Sequence, residues 1–375
     1  MTAGNAGIWR GRARPYLACL ALLALSILPG PRAASAEEVT GASPSAPVAA
    51  TAGSEAISTL ATILSEKYPS IRALVLVRGG CAIFEYYRSD IGAGTLSPVH
   101  SVTKSVLSVL VGIAIDQGFL RLDEKLSELL PETAEGNIDP RIPDITVRDL
   151  LTMSAGFDPA GGWSYASRIS IPSSESWRWM LELPMKRPPG SQFNYDESDV
   201  NLLSVVLTRA IGQDAGRFAE RNLFDPLDIA DHPWAADADG YLVGGTSLFL
   251  TARDMAKIGL LYLQHGRWGE KQILSDAFVL DSTMKHNEGG PPIHAAYGYL
   301  WWVKMTQADE DAFFAAGSGS QLIYVVPKLD LVVALAAESI PGGSVSFVND
   351  IVLPAAGASS GSSPCVARFA QGRVE

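Results

Sequence analysis

In HSVTKSVLSVLVG, His100 to Gly112, a serine stands three residues before a lysine. Ser101 and Lys104 open a run that is otherwise apolar. At i and i+3 of a helix two side chains share one face, one above the other. A lysine on such a helix loses hydration, which favours its neutral amine. A neutral amine beside a hydroxyl can take its proton and make the oxygen a nucleophile. The free N–H groups and positive potential of a helix N-terminus suit an oxyanion that develops nearby. The plain alternative is that Ser101 caps the helix and Lys104 snorkels to solvent. Four residues alone do not decide. The same spacing recurs at Ser282 and Lys285, in the polar stretch DSTMKHNEGG, where a solvated lysine explains it fully.

Two later segments carry further candidates. In PPGSQFNYDESDVNLLSVVL, Pro188 to Leu207, Tyr195 lies just before a helical pattern. A phenol near an ammonium can move a proton; a tyrosine that merely packs a helix start is the other reading. In FFAAGSGSQLIYVVP, Phe313 to Pro327, the small residues Gly317, Ser318, Gly319 and Ser320 interrupt two strands. Glycine in a strand marks close approach of a ligand or another backbone; an ordinary hairpin turn is the alternative. Other chemistries find no support. The G-x-S-x-G at Gly357–Gly361 has no strand before it and no helix after it, unlike a nucleophile elbow. There is no H-E-x-x-H, no Cys/His cluster and no phosphate-binding glycine loop, and the five histidines are scattered. The expectation is no metal and no cofactor.

The elements that must position these residues fall into three zones. Arg10, Arg12 and Arg14 precede the largely apolar 13-residue run Tyr16–Leu28, and Ala34-Ser35-Ala36 follows Pro29–Pro31. That is the layout of a secretory signal peptide over 1–36, too short to span a membrane. Its removal leaves no membrane anchor. Segment 1–36 holds four arginines and no acid, so the mature charge is −11 − 4 = −15. Such a surface disfavours nucleic acid and anionic membranes as partners. Residues 37–53 read as a flexible leader. A domain over 54–356 begins with a helix over 54–68, then a hairpin over Ala73–Arg88 turning at Gly79-Gly80. Helical patterns follow at Ser101–Phe119, Thr146–Ser154, Glu175–Leu183, Ser198–Ile211 and Ala252–His265. Strands return at Tyr297–Met305, Asp311–Ala316, Ser320–Val326 and Leu331–Ala337, before a closing helix over 344–356. The predicted fold is α+β: one antiparallel sheet from both chain ends (54–99 and 290–356), flanked by helices, with a mainly helical region (100–289) inserted. The tail 357–375 reads as loose; export makes a Cys81–Cys365 disulfide chemically possible, but sequence does not show whether the two meet, and two free thiols are the default.

Taken in order, these segments resemble the serine β-lactamase and penicillin-recognising superfamily, above all the class C β-lactamase-related hydrolases that include esterases and 6-aminohexanoate-dimer hydrolases. The likeness runs through HSVTKSVLSVLVGIAIDQGFLRLDEKL, ITVRDLLTMSAGFD, PPGSQFNYDESDVNLLSVVL, LFDPLDI, TARDMAKIGLLYLQHGRWGEKQIL, YGYLWW and GSGSQLIYVVP. It implies an α/β sandwich and two-step acyl transfer. Ser101 would be acylated, Lys104 would be its amine partner, and Tyr195 would help move the proton to the leaving group. Gly317–Gly319 would fill the third motif, and the N–H groups of Ser101 and Ser320 would form the oxyanion hole. Two departures stand out. The second motif commonly reads Tyr-x-Asn or Tyr-x-Ser; here Glu197 takes the third place, with Ser198 one further on. The third motif often begins with Lys or His; here Gly317 stands there, which removes a partner for a substrate carboxylate. The expected substrate is therefore a small ester or amide of low negative charge, rather than a penicillin or a D-Ala-D-Ala peptide.

Overall fold

The computed structural model describes residues 55–135, 138–158, 177–305, 311–357, 365 and 367–369. The signal-peptide and leader assignments lie outside these residues. Helix α1, Glu55–Lys67, buries Leu60 and Leu64, one turn apart. Strands β1, Ile71–Arg78, and β2, Cys81–Tyr87, form the hairpin, and Gly79 and Gly80 at its turn both have positive φ, as a tight connection needs. The rest of the sheet comes from the far end of the chain: β3 Asn287–Gly290, β4 Ala295–Tyr297, β5 Trp302–Met305, β6 Asp311–Gly317, β7 Gln321–Val326, β8 Leu331–Ala337 and β9 Ala367–Arg368. The spatial order is β9-β2-β1-β8-β7-β6-β5-β4-β3, one nine-stranded sheet.

The seam between the two chain ends is the pair β1–β8, antiparallel from Ile71↔Ala337 to Arg78↔Leu331. Every residue of LVVALAA in β8 is buried, so this strand is covered on both faces. Alternation along β7 shows how. Gly259 of helix α5, Ala252–Leu263, comes so near Ile323 and Val332 that an added Cβ would lie 2.8 and 2.6 Å from them. Adjacent Tyr324 points to the other face and donates its hydroxyl to Asn349, at 3.1 Å, in the closing helix over 344–357. The sheet is thus sandwiched, as expected.

Three expectations need correction. The strand over Tyr297–Met305 is broken at 298–301, because the backbone of Gly298 lies against Ser282, whose carbonyl oxygen would sit 2.2 Å from an added Cβ. The pattern over Glu175–Leu183 gives only a 3₁₀ turn at Arg178–Glu182 among its described residues. Nor is the segment after Gly357 wholly loose. Cys365 is disulfide-bonded to Cys81, and Ala367 and Arg368 pair with Ala82 and Cys81 at the edge of β2. The bond closes a loop of 284 residues in sequence separation, which restricts the unfolded chain strongly. Replacing both cysteines by serine should cost roughly 2–5 kcal/mol and lower Tm by roughly 5–15 °C in a thermal melt; an unchanged melt would mean that the staple contributes nothing.

Candidate active site

Helix α2, Val102–Asp116, is buried throughout Val102–Ala114. Its polar members are all engaged. Ser105 donates to the carbonyl of Leu300 at 2.6 Å, and Ser108 to that of Tyr299 at 2.7 Å. Thr103 accepts from the Leu248 N–H at 3.4 Å. These bonds, with the apolar residues between them, hold the head of the helix against the sheet. Preceding it, His100 adopts a left-handed φ of 48°, a cost that a non-glycine residue meets only when its surroundings enforce it.

Ser101 stands at the N-cap position, but its side chain makes no capping bond. Instead its Oγ accepts from Lys104 Nζ at 3.0 Å. Lys104 does not snorkel; it is 1% exposed. Its ammonium also donates to Glu197 Oε1 at 2.6 Å and to the carbonyl of Gly245 at 2.8 Å. Thus three donors meet three acceptors. Here the sequence expectation is reversed. Burial does disfavour the charged amine, but the Glu197 carboxylate and the Tyr195 phenol outweigh it, and Lys104 titrates above its ordinary value. At neutral pH the resting group is an ammonium, not a free amine. The other S-x-x-K is structural: Ser282 is buried and bonded to Val279, while Lys285 is exposed and paired with Glu288.

Helix α4, taken here as Glu197–Ile211 and preceded by α3, Val147–Leu151, begins at Asp196, whose carboxylate accepts from the Ser198 N–H at 2.7 Å. This start places Tyr195 and Glu197 on the site side. The centroid of the Tyr195 ring lies 5.1 Å from Lys104 Nζ. Ser198 turns the other way. It is fully buried and does not line the cavity, so it does not take the second-motif place. Asp199 is buried too and accepts from the Ala155 N–H at 3.1 Å; burial pushes its carboxyl well above the usual range.

The third segment closes the site from the sheet. A Cβ on Gly317 would lie 2.3 Å from the Val99 carbonyl oxygen and 3.1 Å from the Ser101 nitrogen. No side chain, cationic or otherwise, fits at 317 without moving the backbone next to Ser101. Beyond it, Gly319 and Ser320 have φ of 72° and 65°. Ser320 is anchored where its Oγ accepts from the Ile340 N–H at 3.1 Å. Ser101 N–H has no acceptor among the described residues.

Ser101, Tyr195, Glu197 and Gly317–Ser320 share one cavity of about 720 Å³. The sequence did not reveal its aromatic wall. Tyr195 stacks on Trp302 with centroids 5.5 Å apart, and Phe193 packs on Trp302 at 5.8 Å. Pro291, Pro292 and Ile293 extend the apolar side. The YGYLWW segment, with a tryptophan at the start of a strand, was the available signal. No Lys or Arg lines the cavity among the described residues, and burial lowers His100 below its ordinary value, so its imidazole is neutral at pH 7. Among the described residues no group of His, Cys, Asp and Glu is placed to hold a metal ion.

A sequence profile of the Beta-lactamase family matches residues 54–352. The D-alanyl-D-alanine-carboxypeptidase/endopeptidase AmpH of Escherichia coli K12 is 25% identical over 177 residues, 44% of this chain and 46% of its own. The 6-aminohexanoate-dimer hydrolase of Paenarthrobacter ureafaciens is 23% identical over 220 residues, 55% of each chain. The chain thus spans about half the length of these curated relatives. Among solved structures, a penicillin-binding protein homologue from Caulobacter crescentus superposes with a TM-score of 0.66 at 15% identity, covering 81% of this chain and 96% of that one. With the matched region running from the first helix into the closing one, the chain belongs to the Beta-lactamase family.

Proposed function

We propose that the protein is an exported serine hydrolase that cleaves uncharged carboxylic esters or amides through an acyl-enzyme on Ser101. One observation carries the reading. A hydroxyl 3.0 Å from a buried lysine opens into a largely apolar cavity that has no arginine or lysine in its wall among the described residues. No described wall residue would bind a substrate carboxylate bidentately. Ser101 Oγ attacks the acyl carbon. The N–H groups of Ser101 and Ser320 receive the oxyanion, Tyr195 passes a proton to the leaving group, and water then releases the acid. Phe193, Tyr195 and Trp302 would hold the apolar acyl or leaving group. The hydrolase among the relatives is in keeping with this chemistry. Export rests on the basic and apolar N-terminal pattern and on a disulfide, which persists in oxidising compartments.

The test is a substrate panel. Purified protein should turn over short p-nitrophenyl esters or anilides and leave penicillin and a cephalosporin nearly untouched, and a fluorophosphonate should add to Ser101 by mass spectrometry. Efficient β-lactam hydrolysis without ester turnover would make it a β-lactamase or D,D-peptidase. No adduct and no turnover would leave a binding module with this fold.

A further inference from the structure

The chain has built a seat for Glu197. Its Oε2 lies 1.7 Å from where a Cβ on Gly245 would stand, so only glycine admits the carboxylate there. Gly245 also turns its carbonyl to Lys104. A Cβ on the neighbouring Gly244 would lie 2.4 Å from the carbonyl oxygen of Val200, so α4 presses on this turn. Asn201 ties the two together: its Nδ2 donates to the Glu197 carbonyl at 2.7 Å, and its Oδ1 accepts from the Gly244 N–H at 2.9 Å. A surface carboxylate that happened to reach a lysine would need none of this. The arrangement also poses a problem, because Lys104 has all three N–H groups committed and no lone pair free for the Ser101 proton.

We infer that Glu197 resolves it by accepting a proton from Lys104, so that the lysine takes the Ser101 proton and the pair carries a positive charge only until that proton passes to the leaving group. The inference rests on the acyl-transfer reading above. Lys104 Nζ–H moves to Glu197 Oε1, leaving an amine and a carboxylic acid. Oγ–H of Ser101 moves to that amine as Oγ bonds to the acyl carbon, and the carbonyl π pair goes to its oxygen. On collapse the bond to the leaving group breaks, and the leaving group gains the proton through Tyr195 and Lys104. Glu197 then returns its proton to Lys104. Water repeats the sequence, and Ser101 Oγ regains a hydrogen. A pair 2.6 Å apart with its lysine buried and its carboxylate partly buried suits such a transfer, since the uncharged form costs less where water is scarce. Glu197 acts through Lys104 and is a positioning residue; it reacts with no substrate atom.

The other titratable groups around the pair are Tyr195 and Asp196 on the approach to α4, Asp199 within it, Tyr297 from the sheet and His100 before α2. Asp196 accepts from the Ser198 N–H and Asp199 from the Ala155 N–H, and neither bonds to Lys104, so neither replaces the Glu197 carboxylate.

The test follows the rate of Ser101 phosphonylation by a fluorophosphonate against pH, for wild type, Glu197→Gln and Glu197→Asp. This readout needs no natural substrate. In wild type the rate should fall only at acidic pH, where the pair takes up an extra proton. Glutamine still accepts from Lys104 but cannot keep a transferred proton, so Lys104 must lose one to water. The E197Q rate should therefore drop about 100-fold or more at pH 7 and recover as pH rises into the lysine range. E197D should be slower than wild type but keep its acidic limb, and it decides the matter if E197Q does not fold. An E197Q profile that matches wild type, or lies below it by one factor at every pH, would overturn the relay. So would an E197D limb displaced to alkaline pH. Failure of wild type to label at Ser101 would instead sink the acyl-enzyme reading.

Discussion

Ser101→Ala should lower kcat/KM on an acyl substrate by about 10⁴-fold or more and leave the protein as stable as before. The activity side follows from chemistry: without Oγ there is no covalent intermediate, and only binding and the oxyanion donors remain. The stability side follows from the structure and is the less obvious half. Loss of an N-cap serine ordinarily costs about 1 kcal/mol. This serine makes no capping bond, and its φ and ψ of −67° and −5° suit alanine. Lys104 loses one acceptor of three and keeps its carboxylate and the Gly245 carbonyl. Urea unfolding should give the same midpoint for both proteins, and the fluorophosphonate adduct should vanish. Turnover within tenfold of wild type would remove Ser101 as nucleophile.

Lys104→Met should abolish activity to a similar extent, about 10³-fold or more, but it should also weaken the fold. Methionine fills much of the volume and none of the charge. Glu197 is then left with an unpaired carboxylate, and the Gly245 carbonyl loses its donor. Removing one partner of a buried pair typically costs about 3–5 kcal/mol. Glu197 keeps 23% exposure, so roughly 2–4 kcal/mol is the better figure here. The informative protein is the double variant K104M/E197Q. It should regain most of the lost stability, since the stranded charge is gone, yet stay inactive. If the double variant is as unstable as the sum of the single ones, the two side chains are not coupled as a pair.

The part of this site that the sequence carried was local. Ser101 and Lys104 are one turn apart on a run of apolar residues, so a helical period alone puts them on one face. Gly79-Gly80 between two β-rich runs and the seven apolar residues of β8 were equally readable, because turns and doubly covered strands leave short-range marks. What escaped notice was long-range. Glu197 meets Lys104 across 93 positions, and only their contact decides that the lysine is an ammonium. Burial and a nearby carboxylate push a lysine in opposite directions, and sequence shows the first without the second. Gly245 carries no local pattern of its own, and its missing side chain is the space the carboxylate fills. Cys365 likewise sits in a polar segment with no pattern to announce a strand, and only the edge of β2 gives it a partner.

That partner has a topological consequence. Residues 81 to 365 form a covalent ring that holds strands β2 to β8, the whole helical region between them and every candidate catalytic group, while α1 and β1 precede it. A single peptide cleavage anywhere inside the ring opens it without releasing a fragment. The severed ends stay tethered through the sulfur bridge and through the β1–β8 seam, so a nicked molecule can hold its site together. If the protein is exported as proposed, a first cut by a protease would then be an event of little importance, and only a second cut or a reductant would let the pieces part.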